Sequence, residues 1–159
     1  MIFHASIEAD NPAATAAALA RLWRGEAFPF PPVAEGSHIV MAGDPRNSAI
    51  EVYPRGAQLH YAAGEPEVRT AASPSRHGAV HLAIASPLSP DEVFAVAADA
   101  GWTAQRCLRG GMFEVLEVWI DGGFLVEVLT PQMQAQYLAT MTPDGWRAAL
   151  AQGPALADA

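Results

Sequence analysis

The chain has 159 residues, 51% of them hydrophobic, and a formal net charge of −8 at pH 7. Its nine basic residues are all arginines and are scattered, so no nucleic-acid partner is expected, because phosphate binding needs clustered positive charge. A single cysteine excludes an internal disulfide, and no apolar run approaches the roughly 18 residues needed to cross a membrane. These features predict a cytoplasmic protein with an apolar core and no membrane partner.

Residues 1–54 predict one module, in which a strand and a helix are followed by three strands. Asn11 and Pro12 are typical of a helix start, and the Ala- and Leu-rich run after them stops at Gly25. Prolines in the segment after Gly25 predict an edge strand or irregular structure there. The strands of this module are expected near residues 2–9, 26–33, 37–43 and 48–54.

A linker rich in Gly, Ala, Pro and Ser follows at residues 55–78, with a short strand expected at 58–61. Residues 79–130 then predict a second module with the same order of elements. Its helix begins at Ser89 and Pro90, where Glu92 completes a capping box. The strands of the second module are expected near residues 79–85, 102–109, 112–120 and 123–129.

The C-terminal tail, residues 131–159, is expected to be helical. Thr130 and Thr142 are each followed by proline, which predicts a threonine cap and a short helix at both places. The residues from 153 onward are expected to fray. We therefore interpret the chain as a single domain in which two modules share a core.

Both modules carry a histidine on their first strand and a glutamate on their last strand. Glu51 follows His4 by 47 positions, and Glu127 follows His81 by 46. Alternation along a strand places each of these residues on the face opposite its aliphatic neighbours. Two imidazoles and two carboxylates on the concave face of a sheet are a plausible ligand set for a divalent metal ion.

Paired modules with this His/Glu/His/Glu pattern resemble the vicinal oxygen chelate superfamily, whose best known members are glyoxalase I enzymes. The resemblance covers residues 2–130. It implies an α+β fold in which paired βαβββ modules form a curved mixed sheet that cups a metal ion. It also implies that His4, Glu51, His81 and Glu127 are the metal ligands and that Glu127 is the catalytic base.

The function implied by the resemblance is that of a metal-dependent lyase, isomerase or epimerase. Such enzymes act on a small oxygenated substrate through a metal-chelated enolate or enediolate. Imidazole ligands favour Ni, Zn, Mn, Fe or Co over Mg, and the sequence does not choose among these ions. A homodimer is expected, since the two modules can pair either within one chain or between two chains.

Three alternatives remain open at this stage. An iron-dependent dioxygenase of the same superfamily would use two His and one Glu, and would have no ligand at Glu51. A ligand-sequestering protein of the drug-binding type would typically lack the metal ligands. The set could also be a relic that no longer binds an ion.

The other polar residues are interpreted as structural, solvent-exposed or cavity-lining rather than as metal ligands. The remaining histidines are expected to be structural or solvated, with His60 as the reserve ligand should Glu51 not bind; they are His38, His60 and His77. Glu117 and Trp119 share a strand face and are candidates to line the cavity. Arg106 and Arg109 are interpreted as solvent-facing charges, with contact to an anionic substrate as the alternative.

Overall fold

The computed structural model describes residues 3–30, 34–63 and 66–151. The expected α+β class is confirmed, with two four-stranded mixed sheets, a small hairpin and four helices among these residues. None of these helices is long and apolar enough to cross a membrane. The predicted fraying from residue 153 onward lies outside the described residues.

The first module forms a sheet of strand order β1-β4-β3-β2 with one helix against it. Its elements are β1 (His4–Ala9), α1 (Pro12–Trp23), β2 (Glu26–Pro29), β3 (His38–Met41) and β4 (Ala49–Pro54). The proline-containing strand β2 lies at the sheet edge, as predicted, because an edge strand tolerates a missing N–H donor. Asn11 caps α1 through a bond from the Ala14 N–H, which confirms the predicted helix start.

The end of α1 differs slightly from the expectation. The helix ends at Trp23, and Arg24, rather than the glycine after it, adopts the left-handed cap conformation with φ of 53°. Gly25 is needed for a different reason. A Cβ atom there would lie 2.1 Å from the Met41 carbonyl oxygen, so only glycine permits this approach of helix and strand.

The linker contains more structure than the sequence predicted. The expected short strand is found as β5 (Ala57–His60), and it pairs with an additional strand, β6 (Glu67–Thr70). The second strand was not predicted, because the region is polar and Gly-rich. Both strands are mostly solvent-exposed and carry little apolar periodicity.

The second module repeats the topology of the first, with strand order β7-β10-β9-β8. Its elements are β7 (Leu82–Ala85), α2 (Pro90–Asp99), β8 (Thr103–Arg109), β9 (Phe113–Ile120) and β10 (Phe124–Leu129). The capping box of Ser89 and Glu92 is present, and Gly101 has the positive φ of 73° expected after a helix.

The tail contains α3 (Pro131–Thr140) and α4 (Pro143–Ala151). Thr142 accepts a bond from the Gly145 N–H and so acts as the predicted cap of α4. Thr130 is the N-cap residue of α3, as predicted, but its buried side chain makes no capping hydrogen bond. Its β-branched side chain lies in the core instead.

A single apolar core connects the two modules. Side chains from α1 and α2 pack together with the inner faces of both sheets, including Leu19, Val52, Val96 and Val126. The aliphatic positions of the strands therefore face the helices, which leaves the alternate positions on the opposite faces of the sheets. The candidate ligands belong to these alternate positions.

Candidate functional site

The first histidine and glutamate lie on neighbouring parallel strands, β1 and β4. Ser6 pairs with Glu51 in the strand register, so His4 lies two residues before the residue opposite Glu51 and on the same face. Glu51 Oε2 accepts hydrogen bonds from Ser6 Oγ, at 2.9 Å, and from the Tyr53 hydroxyl. Among the described residues no hydrogen bond reaches Glu51 Oε1, which leaves this oxygen available to a ligand.

Tyr53 supports Glu51 from a largely buried position, with 6% of its surface exposed. Burial, followed by its hydrogen bond to the Glu51 carboxylate, raises the pKa of Tyr53 to about 12. Its hydroxyl therefore stays protonated and remains a hydrogen-bond donor at neutral pH. Neither Ser6 nor Tyr53 was expected in this role from the sequence, although Tyr53 alternates with Glu51 on β4 and Ser6 alternates with His4 on β1, which is a detectable signal.

The second histidine and glutamate repeat this arrangement. Ala83 pairs with Glu127 on the parallel strands β7 and β10, and His81 lies two residues before Ala83. His81 itself lies just outside β7, whereas the sequence predicted it within the strand. Its Nδ1 is 3.1 Å from the Ala79 carbonyl oxygen, and because a carbonyl can only accept, this bond requires the proton on Nδ1. The Nε2 lone pair is then free to bind a metal ion.

Glu127 is held by a guanidinium group. Arg109 donates from Nε, at 2.8 Å, and from Nη2, at 2.5 Å, to Glu127 Oε1. Arg109 Nη2 is also 2.5 Å from Glu117 Oε1. Within the described part of the chain, Glu127 Oε2 receives no hydrogen bond. The interpretation of Arg109 as a solvent-facing charge is therefore wrong, because only 35% of its side chain is exposed and both carboxylates bind it.

Glu117 is the most deeply buried carboxylate of this group, with 6% of its surface exposed. Burial tends to raise the pKa of Glu117, but hydrogen bonds from Gln105, Arg109 and Trp119 outweigh it and lower the pKa below the usual value. Glu117 is therefore ionised at neutral pH. The shared strand face of Glu117 and Trp119, noted in the sequence, is confirmed by the bond from Trp119 Nε1 to Glu117 Oε2.

Strand register defines two His–Glu pairs, His4 with Glu51 and His81 with Glu127, in which the histidine lies two residues before the position opposite the glutamate. In the described residues of a single chain, no group of three or more His, Cys, Asp or Glu side chains is arranged to hold a metal ion. The donor chemistry of each pair nevertheless fits a metal ligand set. Each glutamate has one hydrogen-bonded oxygen and one oxygen that no described residue contacts by a hydrogen bond, and His81 donates its Nδ1–H to a backbone carbonyl. The set of four remains a prediction.

The reserve ligand, His60, lies elsewhere. It occupies the end of β5 in the linker hairpin, where Nε2 is 3.4 Å from Gln58 Oε1. His38 and His77 were also expected to be structural or solvated, and both lie outside the two pairs. A ring nitrogen of His38 is close to a backbone carbonyl oxygen, and His77 is exposed.

A cavity of about 620 Å³ lies between β1 and β7, and of the four candidate ligands only His4 lines it. Its walls are mainly apolar and include Trp23, Ile50 and Leu82, and His4 is one of its polar lining residues. The cavity has the size and lining of a small-molecule site, because such sites are mostly apolar with a few polar groups that orient the ligand.

Neither a protein-family model nor a curated protein sequence matches this chain. Similar folds do occur among solved structures. The fosfomycin resistance protein FosX from Mesorhizobium loti superposes with a TM-score of 0.51 at 7% sequence identity, over 86% of this chain and 95% of that chain. A mutant of FosX from Listeria monocytogenes, solved with Mn(II) and 1S,2S-dihydroxypropylphosphonic acid, gives a TM-score of 0.54 at 10% identity, over 86% and 94%.

A third similar structure is the hypothetical protein SA1046 from S. aureus, with a TM-score of 0.51, 7% identity and coverage of 82% and 96%. At identities this low, the comparisons establish the fold and leave the activity open. The order of elements, the paired sheets and these superpositions agree with one another. The chain therefore has the paired-module fold of the vicinal oxygen chelate superfamily, as the resemblance in its sequence implied.

Proposed function

We propose that this protein is a metal-dependent lyase, isomerase or epimerase that acts on a small oxygenated substrate. The observation that carries the proposal is the repeated His–Glu geometry. In both modules the residue two positions after the histidine pairs with the glutamate, and no hydrogen bond from a described residue reaches the second oxygen of either glutamate.

The residues that would hold the ion are His4, Glu51, His81 and Glu127. Because the two pairs do not form one group within the described part of a single chain, the proposal requires pairing of modules from two chains, which agrees with the expected homodimer. The similar Listeria FosX structures contain Mn(II), which supports a divalent ion in this fold.

When bound, a divalent cation supplies a Lewis acid that stabilises negative charge on substrate oxygens. The protein's own contribution centres on Glu127. Arg109 fixes one carboxylate oxygen of Glu127, so the other oxygen would accept a proton from a substrate carbon next to a carbonyl group whenever it is not bound to the ion. In the first module, Tyr53 and Ser6 fix Glu51 in the same manner through neutral donors.

The ligand assignment is tested by metal content. Protein purified without chelators and supplied with Mn, Ni or Zn should bind stoichiometric metal, and His81→Ala and Glu127→Ala should each lose it. His77→Ala is the matched control, since His77 is an exposed histidine close to His81 in sequence. Stoichiometric metal in both the His81→Ala and Glu127→Ala variants would contradict the assignment.

The role of Glu127 is tested by hydrogen exchange with solvent at the substrate carbon. Candidate substrates are hydroxy acids, keto acids and hemithioacetals. With an active compound in hand, Glu127→Gln should abolish exchange. Undiminished exchange in a Glu127→Gln variant that still contains metal would exclude Glu127 as the base. Oxygen uptake with catechols would instead favour the dioxygenase alternative.

A second candidate function is metal-free binding of a small apolar molecule. The cavity lined by Trp23, Ile50 and Leu82 is the observation that favours it. Quenching of tryptophan fluorescence by aromatic ligands in the presence of a chelator measures this directly. Tight binding without metal, together with no metal uptake, would favour a sequestering protein over an enzyme.

A further inference from the structure

The two halves of the candidate site differ in how their glutamates are held. In the first module, Ile39 pairs with Glu51 across β3 and β4, and the donors to Glu51 are uncharged. In the second module, Glu117 pairs with Glu127 across β9 and β10, and the donor to both is Arg109. Of the two candidate ligands Glu51 and Glu127, only Glu127 therefore accepts a hydrogen bond from a cationic side chain among the described residues.

This group, the Arg109 cluster, consists of Arg109, Glu117 and Glu127. The guanidinium lies between two carboxylates whose side chains are 8% and 13% exposed. Because buried carboxylates are costly without a counter-charge, the cluster stays stable without any other cation only while Arg109 is present. Gln105 and Trp119 complete the hydrogen bonds of Glu117 and anchor it in place.

We infer that Arg109 is a positioning residue that opposes metal binding at Glu127 and thereby sets the metal affinity of the site. This inference rests on the proposed function. Arg109 uses only Oε1 of Glu127, so a cation can bind Oε2 while the guanidinium remains in contact. Metal and guanidinium then share one carboxylate and repel each other.

Glu117 has the opposite effect. Its negative charge offsets that of Arg109 and lowers the local positive potential felt by an incoming cation. A single and a double positive charge that share one carboxylate repel each other enough to change a binding constant about tenfold, even at the dielectric constant of water. Removing Arg109 and removing Glu117 should therefore shift the metal affinity in opposite directions.

The experiment measures the Mn²⁺ affinity of the whole chain by isothermal titration calorimetry, with MnCl₂ as the probe. Arg109→Gln should bind Mn²⁺ about tenfold more tightly than the unmodified protein, and Glu117→Gln about tenfold more weakly. Arg109→Lys retains the charge and should stay close to the original affinity. A purely structural role would make all three variants bind more weakly.

Arg106→Gln is the matched control. Arg106 lies on the same strand and binds Glu114 on β9 through two hydrogen bonds, but on the opposite face of the sheet. Its replacement should leave the Mn²⁺ affinity unchanged. If Arg109→Gln misfolds, the Glu117→Gln and Arg109→Lys variants still test the inference.

Failure of the inference is distinguishable from failure of the proposed function. If the unmodified protein binds Mn²⁺ in a manner that depends on His81, but Arg109→Gln binds equally or more weakly, the inference is wrong and the proposed function stands. Binding that appears only in Arg109→Gln supports the inference. If neither protein binds Mn²⁺, the inference is overturned, whereas the proposed function is overturned only if the unmodified protein also fails to bind Ni and Zn.

Discussion

Arg55 connects the two modules, and its replacement by methionine is expected to destabilise the protein. The residue follows β4 in the first module, and its side chain is only 11% exposed. Arg55 Nε is 2.5 Å from Asp10 Oδ1, and Nη2 is 2.9 Å from Asp121 Oδ2 in the turn between β9 and β10. Asp121 is itself 17% exposed and takes the left-handed conformation with φ of 51°.

The size of the effect follows from what the substitution leaves behind. Methionine keeps most of the apolar stem of Arg55, but the carboxylate of Asp121 then retains only the backbone N–H of Asp10, at 2.7 Å, as a donor among the described residues. Removing one partner of a buried ion pair costs about 3–5 kcal/mol. Asp10 is 44% exposed, so solvent screens its ion pair with Arg55 and this pair contributes less to the loss of stability. We expect a loss of about 2–3 kcal/mol.

Urea and thermal denaturation followed by circular dichroism measure this loss. For a domain of this size the expected decrease in Tm is about 5–10 °C. Arg69→Met is the matched control, because Arg69 forms an exposed pair with Glu67 and its replacement should leave the free energy of unfolding nearly unchanged. Equal stability of the Arg55→Met and Arg69→Met variants would refute the reasoning.

Three further predictions concern individual groups. Ser86→Ala should lower the free energy of unfolding by about 1–3 kcal/mol, because the buried Ser86 hydroxyl donates to the Leu22 carbonyl across the modules. Urea denaturation measures this loss, and unchanged stability would contradict the prediction. The pKa of Asp10 lies below its usual value, mainly because Asp10 accepts a hydrogen bond from Arg55. The ionised Asp10 should therefore stabilise the folded protein fully above the unfolded pKa of about 3.8, and this stabilisation should be lost as pH falls through the lower folded pKa. The test compares the free energy of unfolding of the Asp10→Asn variant with that of the unmodified protein at several pH values. A difference that grows on acidification would contradict the prediction. Ultraviolet titration should show Tyr53 ionising at about 12, and ionisation of all tyrosines near 10 would disprove it.

Local sequence signals predicted most of the elements correctly because their causes are local. Asn11 and the capping box at Ser89 fix helix starts through bonds that span three residues. Alternating apolar residues likewise identified the eight strands of the two modules. Strand β6 escaped prediction because its residues are mostly exposed and lack this periodicity.

The candidate site was predictable in part. Alternation with apolar neighbours indicated that the histidine and the glutamate of each module would share a sheet face, and the registers of Ser6 with Glu51 and of Ala83 with Glu127 agree with this. The spacing did not indicate what holds each glutamate. Arg109 is separated from Glu127 by 18 positions, and their contact depends on the pairing of β8, β9 and β10.

The sequence by itself determined the repeated order of elements and the face on which each candidate ligand lies, because helix caps and strand alternation act over a few residues. Only the tertiary structure decided the partners of the buried charges. Strand register and the packing of the modules bring Arg109 to Glu117 and Glu127, and Arg55 to Asp121. Such contacts depend on long-range geometry, since a buried charge is tolerated only where the whole fold supplies its partner.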